Sequence, residues 1–244
     1  SMNNPNYKGS NRSLNTSLES TVTDRLKNFG YKSNKTGFSV GSGFEFYDDL
    51  YWNTGVSSYV EKLETDNTAS ASMKKQEGSY FDTFFNHTFS YDKRDQRYKT
   101  SDGYISRFTQ NIPLISEIYT LTNTYDYKIY NEWLDENIFS IGFFGKTANS
   151  LSGKDIKLSD RLFLPASKLR GFESGKVGPK DGADYIGGNY AASINIATSL
   201  SQILPNSQNT NFSVFFDAAN VWGIDYSSSL SDESKIRSSV GIAV

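Results

Sequence analysis

Between residues 37 and 47 the chain alternates with period two. Phe38, Val40, Phe44 and Phe46 fall on one side, while Gly37, Ser39, Gly41, Gly43 and Glu45 fall on the other. That period belongs to a β-strand. Apolar against small-or-polar is what a strand needs when its two faces meet different solvents. The run also matches the roughly 9–11 residues that cross a bilayer core at a tilt. The signature recurs. Residues 51–61 place Trp52, Thr54, Val56 and Val60 together, and residues 79–92 set Phe81, Phe85, Phe89 and Tyr91 against Asp82, Asn86, Ser90 and Asp92. Tyr119, Leu121, Tyr125, Tyr127 and Ile129 line one face of residues 117–130, and Phe139, Ile141 and Phe143 one face of 136–147. With a weakly alternating 13–23, and with 104–112, a short 160–165, 190–200, 211–222 and 235–244, the pattern predicts about eleven strands. The expected fold is all-β: an antiparallel transmembrane β-barrel.

Composition agrees with strands and removes alternatives. Aromatic residues make up 15% of the 244 residues, including 16 Tyr and 17 Phe, and large rings suit a pleated surface. Mean hydropathy is −0.54, and no apolar run nears the roughly 18 residues of a spanning helix. Barrels escape such a scan because lipid-facing and lumen-facing residues alternate. A net charge of −2 gives no basic field for nucleic acid. Cysteine is absent and His87 is the one histidine, so thiolate sites, His clusters and paired-His chemistry are excluded. His87 lies between Phe85 and Phe89 on the apolar face, as a packing or interfacial residue. The segment 62–78 is polar and apolar-poor and is expected to be a mobile loop. Residues 148–159 form another polar loop, and Pro113 and 131–135 mark turns. Connections are expected to alternate short and long. Ser1-Met2 has the look of a cloning scar, leaving residues 3–244 as one domain.

The least strand-like stretch is 166–189. It carries Lys168-Leu169-Arg170-Gly171-Phe172-Glu173, then Val177-Gly178-Pro179-Lys180-Asp181-Gly182, then Gly187-Gly188-Asn189. So much Gly and Pro precludes a strand. It reads as an ordered loop with a cation and a ring at its tip, or as a plain surface turn. It lacks the Gly-Lys-Ser/Thr ending of a phosphate cradle, and Asp181 and Asp184 lack calcium-loop spacing. No nucleophile and base pair up, so no enzyme and no cofactor is expected.

These motifs resemble a known family. An Arg-Gly-Phe tip after Leu169, then Gly-Pro, then Gly-Gly-Asn opening a strand is similar to the long loop of the bacterial surface antigen family, BamA and its relatives. Phe215-Phe216-Asp217-Ala218-Ala219-Asn220-Val221-Trp222 resembles the family's next strand, and Ile236-Arg237-Ser238-Ser239-Val240-Gly241 the one after. Asn4-Pro5-Asn6-Tyr7 resembles an early turn. The run from Asp92-Lys93-Arg94 to Asp102-Gly103 resembles another, without its proline.

The resemblance implies a barrel of about sixteen strands, truncated here at both ends, with residues 166–189 folding into the lumen. It implies that Arg170 pairs with Asp217. The family's second acid falls at Ala197; Asn195 shares that face but is uncharged. Phe172 is expected to pack on Ala219 or Gly241, and Gly187, Gly188 and Asn189 to turn the loop into the next strand. The implied setting is the bacterial outer membrane. The implied function of the parent is non-enzymatic folding and insertion of outer-membrane β-barrel proteins, with a two-partner-secretion-type translocation barrel as the alternative. Partners would be membrane lipid, nascent barrel proteins, and accessory lipoproteins held by periplasmic modules not present in this chain.

Overall fold

The computed structural model describes residues 1–134, 137–200, 212–225 and 235–243. Eight strands follow in order: β1 (Met2–Asn4), β2 (Ser13–Arg25), β3 (Tyr31–Tyr47), β4 (Leu50–Thr65), β5 (Gly78–Asp92), β6 (Gly103–Ile115), β7 (Thr120–Leu134) and β8 (Asn137–Ser150). A long loop carries a minute hairpin, β9 (Lys180–Asp181) with β10 (Asp184–Tyr185). Then come β11 (Tyr190–Ser199), β12 (Ser213–Trp222) and β13 (Arg237–Ala243). All but β9 and β10 form one sheet of 11 antiparallel strands, ordered β1 through β8 and then β11, β12, β13. Glu136, Asn211 and Val244, assigned above to strand ends, lie outside the described residues.

Alternation decides what each face meets. Leu18 (83% exposed), Phe38 (52%), Val60 (52%) and Phe216 (43%) point outward. Asp82, Phe144, Ala191, Ala219 and Val221 point inward and are buried. The long loop packs against this inner wall: Leu162, Leu164, Leu169 and Val177 form one apolar cluster with Phe144, Ala148, Ala191, Ala219 and Val221. An outward stripe of exposed apolar side chains requires a lipid-like solvent. Circular dichroism in detergent should therefore be β-dominated, and dilution into plain buffer should give sedimenting material. A monomeric, helix-rich species in buffer would contradict the fold.

Several boundaries differ from expectation, each for a physical reason. The sheet has the expected strand number with a changed membership, since β1 joins it and residues 160–165 do not. Leu158–Asp160 is a 3-10 turn, and Leu162 makes a single antiparallel bridge to Gly188. Its alternation arises from one side of the segment packing on the inner wall, not from membership of a sheet. Met2 pairs with Thr16, so the second of the two residues set aside as a scar joins the sheet through its backbone. At the loop end, β3 begins at Tyr31 and β4 runs on to Thr65. Backbone pairing needs no apolar side chain, so strands outlast the hydropathy pattern wherever they leave lipid. Residues 62–78 thus divide among the end of β4, a short helix and the first residue of β5. Ser70 caps a short helix (Ala71–Lys74), accepting from the Met73 amide at 3.2 Å, and Met73 is fully buried.

Pro113 lies within β6, opposite Phe84, where the register with β5 shifts. A proline without an N–H is tolerated at such a bulge. Residues 117–119 fall in the turn before β7, and β7 extends to Leu134. Short and long connections do not sort cleanly: the tight turn at Asp48 and Asp49 shares its end of the sheet with the longer connection 93–102.

Candidate functional site

The loop between β8 and β11, residues 151–189, returns along the inner wall and is fixed there at two places. The first is its tip. Pro165 opens a 3-10 turn (Ala166–Lys168), after which Leu169 is buried and Gly171 takes φ +80°, a conformation that suits a residue without a Cβ. Between them stands Arg170. Its backbone N–H donates to Asp217 Oδ2 at 3.0 Å, its Nε to the same oxygen at 2.8 Å, and its Nη2 to Oδ1 at 2.7 Å. This is the bidentate grip for which a planar guanidinium is suited. The Arg170 Cζ also lies 3.7 Å from the Phe215 ring centroid.

Asp217 has no solvent exposure and gains a fourth donor from the neighbouring strand. Asn195 sits directly opposite it in the register, and its Nδ2 donates to Asp217 Oδ1 at 2.8 Å and to the Lys168 carbonyl at 3.0 Å. Both amide protons are used. The neutral Asn195 therefore shares the contact, and one carboxylate faces one arginine. Ala197, two residues further on, is opposite Phe215. Lys168 adds an ion pair with Asp126 on β7, at 2.6 Å.

Phe172 follows the arginine at the tip. It is 37% exposed, and the place beside Gly241 is taken by Phe215, whose Cζ would lie 2.8 Å from a Cβ on Gly241. The charged tip docks on the wall and the ring beside it stays half in solvent.

The return to the sheet is tightly specified. Gly187 has φ +71°, and a Cβ on Gly188 would stand 2.4 Å from the Trp222 carbonyl oxygen. Asn189 donates its N–H to Gly223 O at 2.9 Å, accepts from the Ala148 N–H at 2.8 Å, and accepts from Arg161 Nη1 at 3.1 Å through Oδ1. Gly188→Ala should force β11 away from β12 and sharply lower the yield of protein whose gel mobility shifts on heating. A normal yield would show that this turn yields easily.

The second anchor was not visible in the sequence. Ile156, Lys157 and Leu158, in a stretch read as polar loop, are all completely buried. Lys157 Nζ lies 2.6 Å from Asp82 Oδ2 on β5, 3.3 Å from Glu61 Oε2 on β4 and 3.5 Å from Asp160 Oδ2. Ser33 donates to Glu61 and Ser116 to Asp82. Lys35 on β3 stands 3.5 Å from Glu61 and 3.9 Å from Asp160. The Leu158 N–H donates to Gln76 Oε1 at 2.9 Å. The one available signal was the apolar pair flanking a lysine, Ile156-Lys157-Leu158. Alternation did place Asp82 inward, but nothing local says which loop will reach it.

Three carboxylates here face two lysines, so one proton brings the cluster to neutrality. Burial pushes the Asp160 carboxyl up, and the Lys157 and Lys35 ammoniums oppose it only in part. For Lys157 burial works the other way, but Asp160, Glu61 and Asp82 outweigh it and hold the ammonium above the usual lysine range. An acid with a raised folded-state pKa binds more protons folded than unfolded, so stability falls as pH rises between its ordinary and its raised value. Loop protection from protease should therefore weaken as pH rises above the ordinary carboxylate range, and Asp160→Asn should flatten that slope. An unchanged slope in the variant would assign the titration elsewhere.

No group of three or more His, Cys, Asp or Glu side chains placed to hold a metal ion occurs among the described residues. The site is thus a docking arrangement that ties one loop to β3–β5 through Lys157 and to β11–β12 through Arg170.

Comparison with known proteins bears on both fold and family. The family described as the Omp85 superfamily domain matches residues 1–244. Among solved structures, the crystal structure of BamA from Haemophilus ducreyi lacking POTRA domains 1–3 is similar, with a TM-score of 0.80 at 20% sequence identity. That match covers 98% of this chain and 54% of the other, so the chain spans about half the length of its structural relative. A comparison with curated protein sequences finds no match.

Proposed function

From the premise that the chain belongs to the Omp85 superfamily, and so to the bacterial outer membrane, we propose that the whole protein folds and inserts outer-membrane β-barrel proteins without enzymatic chemistry. The observation that carries this reading is the doubly anchored loop. A route for an unfolded polypeptide needs an open lumen. Here the inner wall is covered by a loop held by buried charges at Lys157 and by the Arg170–Asp217 grip. Breaking buried, hydrogen-bonded charge pairs costs several kcal/mol in order of magnitude, which a passing chain would have to supply twice.

In this reading the loop stiffens one part of the wall, so the seam between the first and last strands of the complete barrel is the part that opens. An incoming client strand pairs with the exposed edge through backbone hydrogen bonds, the physical basis of strand addition. Arg170, Gly171 and Asp217 position the loop; Leu169 seats it and Asn195 completes it. Clients are nascent barrel proteins, and accessory lipoproteins bind periplasmic modules of the parent.

The test is reconstitution of the whole protein in vesicles, with a urea-unfolded barrel client added. The client should acquire heat-modifiable mobility faster than in protein-free vesicles, and Arg170→Ala should slow it. Client that instead becomes protease-protected inside the vesicle without folding would favour translocation. No acceleration would overturn the insertion reading.

A further inference from the structure

One row of side chains breaks the apolar pattern of the outward face. The strand register sets Thr54 opposite His87, His87 opposite Gln110, Gln110 opposite Asn123, Asn123 opposite Thr147, and Thr147 opposite Tyr190. From His87 on, the row is bonded together. His87 Nε2 and Gln110 Oε1 lie 3.1 Å apart, Gln110 Nε2 donates to Asn123 Oδ1 at 2.6 Å, and Asn123 Nδ2 donates to Thr147 Oγ1 at 3.2 Å. Asn149 Nδ2 donates to Thr147 Oγ1 at 3.2 Å and accepts the Tyr190 hydroxyl at 3.2 Å through Oδ1. Mutual bonding lowers the cost of amides against hydrocarbon. It does not explain why five adjoining strands should carry polar groups there.

The upper end of the row adjoins a dent in the wall. Gly145 and Ala192 face each other across β8 and β11 and floor a groove of about 250 Å³ walled by Phe108, Tyr125, Tyr190 and Trp222. Tyr190 and Trp222 stack at 5.7 Å. Relative to the groove floor, Asn123, Thr147 and Asn149 lie nearer the loop end of β7 and β8, and the floor lies nearer mid-strand. In outer-membrane barrels the long loops face outside. Polar groups thus sit toward the outer surface and the apolar groove toward the bilayer centre, the order of the parts of an outer-leaflet lipid.

We propose that this is a binding site for one glycerophospholipid, with an acyl chain in the Gly145–Ala192 groove and its ester carbonyls on the amides of Asn123 and Asn149. Each of those amides uses one donor in the bonds above and has a second to give. The polar groups are uncharged, which suits ester and zwitterionic groups. A phosphorylated glycolipid would call for arginine or lysine, and Lys146, which borders the groove, alternates to the inner face opposite the buried Ala191, beside Asp160 and Asp126. The proposal is independent of the insertion reading and needs only that this wall face lipid.

The whole protein in vesicles, labelled with a phosphatidylethanolamine bearing a diazirine on its acyl chain, tests the site. Crosslinks mapped by peptide should be enriched about tenfold at Tyr125, Gly145, Ala192 and Trp222 over Phe38 and Val60, which are plain lipid-facing positions. Ala192→Leu, which fills the groove, should bring that enrichment down to the plain level. Asn123→Leu, which leaves the groove open, should reduce it with heat-modifiable mobility intact. Uniform labelling of the wall, enrichment that survives Ala192→Leu, or equal enrichment with a lipid A probe would each overturn the assignment.

Discussion

Lys157→Met should destabilise the folded domain by about 3–5 kcal/mol, the usual cost of removing one partner from a buried ion pair. The side chain has no solvent exposure and neither do Glu61 and Asp82, so its loss leaves Asp82 without a cation and Glu61 with Lys35 alone at 3.5 Å. Urea titration in detergent, followed by heat-modifiable mobility, measures the loss, and proteinase K cleavage within 151–189 reports release of the loop. The triple variant Lys157→Met, Glu61→Gln, Asp82→Asn should recover most of it. Both amides still accept the Ser33 and Ser116 hydroxyls, and no uncompensated charge remains. A single variant as stable as the parent, or a triple variant no better than the single, would mean that the cluster is not what holds the loop to β4 and β5.

The tip should behave differently. Asp217→Ala removes the acceptor of four donors and should cost about 3 kcal/mol. Arg170→Ala should cost at least as much, because it leaves the Asp217 carboxylate without solvent exposure and without its cation, whereas the arginine left by Asp217→Ala is 30% exposed and can be hydrated. The double variant should be no worse than Asp217→Ala alone, giving a coupling of about 1.5–3 kcal/mol. Additive losses would mean that the pair contributes nothing as a pair. Asn195→Ala should be milder than either, since it removes one neutral donor and leaves the guanidinium grip intact.

The two anchors differ in how legible they were. Arg170 announced itself through a motif, Arg-Gly-Phe with its glycine-rich return, and Asp217 through a charge on the inward face of a spanning strand. Lys157 lies in a stretch whose composition reads as solvated loop. Its burial follows from Asp82 and Glu61, which are 75 and 96 residues away. A sequence window cannot hold that distance. Residues 160–165 misled for a related reason: apolar alternation marks burial on one side, and a loop packed on the inner wall supplies that as readily as a strand.

Sequence alone determined the strands that meet lipid, their inward and outward faces and the kind of sheet they build. Two solvents on opposite faces write a period-two pattern that only a strand can satisfy. The residues marked out the tip as an arginine followed by glycine, and the family resemblance implied that it folds inward. The tertiary structure decided the rest: where strands end beyond the lipid, which wall the loop reaches, that Asn195 on the facing strand donates to Asp217, and that Phe215 lies beside Gly241. Each of these depends on which side chains curvature and register bring together across a lumen. Such contacts are fixed by the path of the whole sheet, and no short stretch of the chain encodes them.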